Sequence, residues 1–316
     1  MIFIDQDEVL RLLTPEACIS VMRRALTDLE NGNSEQYLRN AVHLPDGNIL
    51  GFMPAYLSKE LIGAKIITVF PKNSGVGLPS HQGLVLLFNA ETGAPFCMVD
   101  GNAITRVRTG AVSALATGLL ARQDASSVAL LGTGEQARSH LAALTLVCDI
   151  KQVSVYNRTR ANAGSFAEWA EASYGLPVRV ASSAAEAVSE ADIICTLTAS
   201  HTPLLFKDDV KEGTHINAVG ACSAGHRELD SSLVKAARFF GDKLESVMHE
   251  AGDFLIPLAE GAISEKHFLG ELGQLLCGKT KGRLNSRDIT VFKSLGLAVE
   301  DLAAAYFVYQ KKQEEQ

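Results

Sequence analysis

Apolar and polar positions follow different patterns in the two parts of this chain. From about residue 124 onward, short unbroken apolar runs alternate with stretches of helical spacing, as expected for strands buried on both faces and joined by crossover helices. Val128-Ala129-Leu130-Leu131 breaks into Gly132-Thr133-Gly134, continues as a helical segment, and is followed by a second strand, Val153-Ser154-Val155-Tyr156. The pattern then predicts a helix over 161–174, a strand at Val178-Arg179-Val180, a helix over 184–190, and strands over 192–197, at His215-Ile216-Asn217-Ala218-Val219 and at Arg238-Phe239-Phe240. That order predicts a doubly wound α/β domain around a parallel sheet.

The first 120 or so residues have another texture. They predict a short helix over 5–12, a helix over 15–31 with Thr14 as its N-cap, and strands over 48–53, 63–69 and 83–89 divided by turns. A long closing helix over 295–310 has apolar spacing suited to packing back on this N-terminal part, which would leave a cleft between two domains.

The turn after Leu131 carries the first chemistry. Gly132 allows a tight turn, Gly134 lets the backbone approach a phosphate, and Ala137 lets the helix pack closely on the strand. Unpaired N–H groups of the helix start, around Thr133, Glu135 and Gln136, would point at a pyrophosphate. The second strand ends in Asn157-Arg158-Thr159, with no Asp or Glu to accept from a ribose 2′-hydroxyl. Arg158 can instead contact a 2′-phosphate, with Asn157 and Thr159 as further donors, so NADP(H) is favoured and NAD(H) remains open. The alternative is that Arg158 is a solvated surface residue.

Composition narrows the class. The 316 residues suit one large or two ordinary domains, and the net charge of -7 argues against nucleic acid as main partner. Six scattered cysteines form no C-x-x-C pair, so neither a zinc site nor a disulfide framework is signalled. The start, Met1-Ile2-Phe3-Ile4-Asp5, lacks the basic region and apolar core of a signal peptide, and no apolar stretch spans a bilayer; a cytoplasmic location is expected.

Five ordered motifs then carry a resemblance. The run from His81-Gln82-Gly83-Leu84 to Thr92-Gly93, the run from Asp100 to Ala111 containing Arg108-Thr109-Gly110, the Gly132 turn, His215-Ile216-Asn217-Ala218-Val219-Gly220, and Thr290-Val291-Phe292-Lys293-Ser294-Leu295-Gly296 resemble the ornithine cyclodeaminase/μ-crystallin family. The resemblance implies a Rossmann NAD(P)-binding domain over 124–287, plus an α+β substrate-binding and dimerisation domain over 1–123 and 288–316 completed by the C-terminal helix. It also implies a homodimer with paired N-terminal sheets and a small substrate with an α-carboxylate. Arg39, Lys65 and Arg108 fall where members bind that carboxylate and orient the reacting nitrogen, with Lys65 and Arg108 as the catalytic pair. Thr109, Thr198, Val219 and Ser294 join the cofactor contacts.

Read without the resemblance, Lys65 lies in an apolar run where its ammonium needs a partner or ligand, and Arg108 precedes a small-residue helix with a fork suited to a carboxylate. A structural ion pair is the alternative for each, and for Arg39. His81, in a loop between strands, is a candidate proton relay or simply a hydrogen-bonded surface residue. Lys293 and Ser294 open the final helix and either contact the nicotinamide or serve as cap and solvent residues.

The chain departs from the family at Gly220-Ala221-Cys222, where ornithine-cyclising members resemble G-G-D or G-A-D and use the aspartate. A thiol cannot replace that carboxylate base unless its pKa is heavily perturbed. Cys222 reads as a small neutral wall in preference to a reactive thiol. Arg227-Glu228-Leu229-Asp230, Glu250-Ala251-Gly252-Asp253 and Val299-Glu300-Asp301 resemble the μ-crystallin branch. The resemblance therefore implies an NAD(P)H-dependent reductase of cyclic ketimines, Δ1-pyrroline-2-carboxylate or Δ1-piperideine-2-carboxylate, or a related amino-acid dehydrogenase. The alternatives are an ornithine cyclodeaminase with bound NAD and a non-catalytic nucleotide-dependent binding protein.

Overall fold

The computed structural model describes residues 1–57 and 61–315. In chain order it begins with β1 (Ile2–Ile4), α1 (Gln6–Leu12) and α2 (Pro15–Glu30). The Asp5 carboxylate accepts from Glu8 N (3.0 Å) and the Thr14 hydroxyl from Ala17 N (3.2 Å), so each helix starts at a capping side chain. Then come β2 (Glu35–Gln36), β3 (Asn40–His43), β4 (Ile49–Leu57), β5 (Leu61–Val69), β6 (His81–Asn89), β7 (Pro95–Asp100) and α3 (Gly101–Leu120). Among the described residues these strands form one seven-stranded sheet in the order β1-β7-β6-β5-β4-β2, with β3 also paired to β4.

Next are β8 (Ser127–Leu131), α4 (Glu135–Leu144), β9 (Gln152–Tyr156), α5 (Arg160–Tyr174), β10 (Val178–Val180), α6 (Ala184–Val188), β11 (Ile193–Thr196) and β12 (His215–Ala218). They are followed by α7 (Ser231–Ala236), β13 (Arg238–Gly241), α8 (Leu244–Glu250), α9 (Gly252–Ala259), β14 (Phe268–Glu271), α10 (Leu272–Leu276), β15 (Thr290–Lys293) and α11 (Ala298–Glu314). The eight-stranded sheet runs β10-β9-β8-β11-β12-β15-β13-β14, and its pairs are parallel. Strand order reverses between β8 and β11, the switch point where such sheets hold a dinucleotide. Every residue of β8 is buried: Val128 and Leu130 pack with Val153, Val155 and Phe166 on one face, Ala129 and Leu131 with Ile194, Ile216 and Val291 on the other.

Two compact units result, Met1–Arg108 with Gly296–Gln316, and Thr109–Leu295; the sequence reading placed the divisions near 123/124 and 287/288. In the first unit α11 packs on α2, β4, β5 and β6. Among the described residues no helix is long and apolar enough to cross a membrane.

Three local expectations are corrected. His81 is the first residue of β6, paired to Val69, and not a loop residue. Arg108 lies inside α3, because the Asp100 carboxylate accepts from Ala103 N (2.7 Å) and starts the helix at Gly101. Lys293 ends β15 between β12 and β13, and α11 begins only at Ala298, so Lys293 and Ser294 do not open the final helix.

Candidate active site

In the first unit, β5 presents Lys65, 2% exposed, and α3 presents Arg108, 4% exposed. Burying either cation alone would be costly, and both face the first turn of α11. Lys65 Nζ lies 2.6 Å from Asp301 Oδ2 and donates to Thr105 Oγ1 at 3.4 Å. Arg108 Nε donates to Asp301 Oδ1 (2.9 Å) and Nη1 to Glu300 Oε2 (3.0 Å). Burial pushes the Lys65 ammonium down to about 8 against the pull of Asp301, with the Arg108 and Arg39 charges adding to the fall. Burial works against the Asp301 carboxylate, yet Arg108 and Lys65 hold it below its ordinary value.

Arg39, half-buried, donates Nη2 to Gly296 O at 3.4 Å. Gly296 has φ +81°, and a Cβ there would stand 2.7 Å from both terminal nitrogens of Arg108. A glycine is needed there for the turn and for the approach of the guanidinium. Arg39, Lys65 and Arg108 are therefore brought together, Lys65 and Arg108 in ion pairs with Glu300 and Asp301 and Arg39 on the Gly296 carbonyl. His81, hydrogen-bonded to Ser80 Oγ (3.0 Å), titrates below its ordinary value through desolvation first and the Lys65 charge second.

In the second unit the turn after β8 has the geometry a pyrophosphate requires. Gly132 adopts φ +102°, and a Cβ there would meet Leu197 O at 2.6 Å. Gly134 is the N-cap of α4, and a Cβ on it would meet nothing within 4 Å, which leaves open backbone at the helix start. Thr133, Glu135 and Gln136 surround this opening, and Thr133 Oγ1 accepts from Asn157 Nδ2 (2.7 Å). Asn157 Oδ1 in turn accepts from Thr159 N (2.9 Å), shaping the loop after β9 on which Arg158 is exposed. Arg160, also exposed, adds a second cation that sequence reading passed over. These residues fit a dinucleotide phosphate.

At the ends of β11, β12 and β15 stand Thr198, Val219, Cys222 and Ser294. Cys222 Sγ, exposed, donates to Val219 O (3.2 Å) and reaches Ser294 O at 3.9 Å; Ser294 N donates to Ala218 O (3.0 Å). Thr109 is buried at the start of this unit. Beneath them lies a buried charge group that sequence reading did not assign. Lys293 Nζ donates to Asp253 Oδ2 (2.9 Å), Asp253 Oδ1 accepts from Glu228 N (2.8 Å) and Leu229 N (2.9 Å), and the Glu228 carboxylate is itself buried. Burial, then the Asp253 charge, pushes the Glu228 carboxyl up; burial opposes the Lys293 charge, but Asp253, Cys222 and Glu228 raise it. Acidic residues in apolar surroundings, as in Leu297-Ala298-Val299-Glu300-Asp301-Leu302, were the available signal for the first cluster; Glu228, in His226-Arg227-Glu228-Leu229-Asp230, has no such signal.

The model of the ornithine cyclodeaminase/mu-crystallin family matches residues 2–316. The chain belongs to this family. Within the family it is 36% identical over 314 residues, 98% of this chain and 96% of the relative, to a Δ1-pyrroline-2-carboxylate reductase of Bacillus cereus. It is 39% identical over 313 residues, 97% of this chain and 96% of the relative, to the ketimine reductase mu-crystallin of Rattus norvegicus. Among solved family structures, the Δ1-pyrroline-2-carboxylate reductase of Thermococcus litoralis, in complex with NADH and L-proline, superposes with a TM-score of 0.97 at 36% identity, covering 100% of this chain and 98% of that one.

Proposed function

We propose that this chain is an NAD(P)H-dependent reductase of cyclic ketimines, converting Δ1-pyrroline-2-carboxylate or Δ1-piperideine-2-carboxylate to proline or pipecolate. The observation that carries the reading is the buried pair of cations Lys65 and Arg108, fixed by Glu300 and Asp301 with the half-buried Arg39 beside them, a cationic group suited to a substrate carboxylate. The relatives named above act on, or hold, molecules of this class. The bound nicotinamide dinucleotide supplies the hydride. Lys65 and Arg108, fixed by α11, hold the carboxylate and orient the C=N carbon; a protonated iminium is already electrophilic, so no strong base is required. Cys222 stands where a cyclising member would carry aspartate and leaves a small wall there.

The test is absorbance at 340 nm with NADPH or NADH and each cyclic ketimine, beside an ammonia assay with ornithine. Cofactor consumption with a ketimine is the expected result. Ammonia and proline from ornithine without net cofactor change would overturn the reading.

Arg158, with Arg160 beside it and no carboxylate on the loop, favours NADPH over NADH. Arg158→Ala should lower kcat/KM for NADPH by about 10- to 100-fold, the loss of one charge-assisted hydrogen bond, and leave NADH within about twofold. Equal losses for both cofactors would remove the preference from Arg158.

Lys65 sets an alkaline limit on carboxylate binding. Its ammonium is charged below about 8 and neutral above, so the cluster loses one positive charge as pH rises. Affinity for pyrrole-2-carboxylate, whose ring does not titrate in this range, should be flat up to about pH 7 and then fall with a midpoint near 8. Lys65→Arg should abolish that fall; a midpoint unmoved in the variant would assign it elsewhere.

A homodimer is the assembly this reading includes. Val42, Leu50, Phe52 and Ile62 are exposed on neighbouring strands β3, β4 and β5, an apolar surface suited to self-association.

A further inference from the structure

The Glu228 carboxylate accepts four hydrogen bonds in an arrangement that only a carboxylate satisfies. Oε1 accepts from Thr198 N (2.8 Å) and Thr198 Oγ1 (2.7 Å); Oε2 accepts from Gly220 N (2.9 Å) and Thr196 Oγ1 (2.7 Å). Each oxygen therefore meets one hydroxyl, which can rotate, and one backbone N–H, which cannot. A glutamine here would have to turn its NH2 toward one of those two N–H groups.

The main chain of Glu228 is equally fixed. Its N donates to Asp253 Oδ1 and its carbonyl accepts from Leu204 N (2.9 Å) and Leu205 N (3.1 Å). The segment it grips is held without slack on both sides. A Cβ on Gly220 would fall 2.1 Å from Thr198 O, and one on Gly132 would fall 2.6 Å from Leu197 O and 3.3 Å from Thr198 Cγ2. Leu197 and Thr198 are thus wedged between the phosphate turn after β8 and the turn after β12, and Glu228 ties that wedge to Gly220.

In a doubly wound sheet the dinucleotide lies across the carboxyl ends of the strands. The loop after β9, with Asn157 to Thr159, takes the adenosine end, so the turns after β11 and β12 take the nicotinamide end. We infer that Glu228 is a positioning residue that fixes Thr198 and Gly220 as the bed for the nicotinamide half of the cofactor, without touching the cofactor itself. This rests on the proposed reading that a nicotinamide dinucleotide binds here. Asp253 and Lys293 support it by anchoring the Glu228 backbone and placing a cation close to two buried carboxylates.

The experiment compares the unmodified protein with Glu228→Gln by fluorescence titration against NADPH, NADH and the adenosine-end fragments 2′,5′-ADP and ADP. Glu228→Gln is expected to weaken the better-bound dinucleotide by tenfold or more and to leave the matching fragment within twofold. A loosened fold would weaken fragment and dinucleotide alike, and that result, or an unchanged dinucleotide affinity, overturns the inference. Thr196→Val is the second variant, which decides if Glu228→Gln does not fold: it removes one hydroxyl from Oε2 and should weaken the dinucleotide about threefold with the fragment unchanged. No effect on the dinucleotide in Thr196→Val counts against the inference. Failure of the unmodified protein to bind either dinucleotide would bring down the functional reading and Glu228's role together, whereas binding that Glu228→Gln leaves intact removes Glu228's role alone.

Discussion

Arg108→Met is expected to lower the unfolding free energy by about 3–5 kcal/mol, because Glu300 and Asp301 would remain buried without the guanidinium that faces them both. Methionine fills much of the same volume, so the loss reflects the two ion pairs removed from Glu300 and Asp301, the latter keeping Lys65, more than a cavity. Urea unfolding measures it. The same variant should raise KM for a ketimine carboxylate at least tenfold, since a charged hydrogen bond contributes about 1.5–3 kcal/mol. The two readouts separate two roles: full stability would contradict the buried ion pair, and an unchanged KM would contradict substrate binding. Arg108→Lys keeps one charge but loses the fork, and should recover only part of either loss.

Gly134→Val should separate nucleotide binding from folding. A Cβ at Gly134 meets nothing within 4 Å, so unfolding by urea should shift by no more than about 0.5 kcal/mol. The branched side chain would nonetheless stand where a pyrophosphate must approach the backbone, and affinity for the dinucleotide should fall on the order of a hundredfold, about 2.7 kcal/mol. Gly132→Ala makes the contrast. At φ +102° and 2.6 Å from Leu197 O, the added methyl strains the turn itself, so stability falls together with binding. If Gly134→Val binds the dinucleotide as the unmodified protein does, the Gly132 turn is not the phosphate site.

The doubly wound half was readable because strands buried on both faces carry continuous apolar runs, as Val128 to Leu131 do. β15 escaped notice because its four residues end in a charged one, and nothing local announces that Lys293 will find Asp253 from α9. In the first unit β4 and β5 were marked by their apolar content. β3, exposed along its whole length, has no apolar face to create a period, and β1 and β2 are too short to show one. Arg106 and Arg108 break the apolar spacing of α3, so the helix was expected to begin late, although Asp100 was present as its cap.

The site was legible to the same depth. An ammonium within the apolar run of β5 demanded an anion, and that much followed from Lys65 itself. Which anion could not follow, because Asp301 arrives from α11 through tertiary packing. Glu228 is a sharper case: its importance lies in four donors set by three-dimensional turns, and a glutamate between Arg227 and Leu229 carries no such information in one dimension.

The long separation of these partners has a consequence for how the chain is made. Arg108 and Asp301 lie 193 positions apart, so the ribosome adds all of Thr109–Leu295 after the first sheet's cations have emerged and before their carboxylates exist. Until then Lys65 and Arg108 are better left hydrated than buried, and the early sheet has reason to remain open. The inner segment has no such wait, since Lys293, Asp253 and Glu228 are all encoded within it. Vectorial synthesis thus favours an inside-first order of folding, with α11, made after the inner segment, acting as the latch that lets the earlier-made sheet settle.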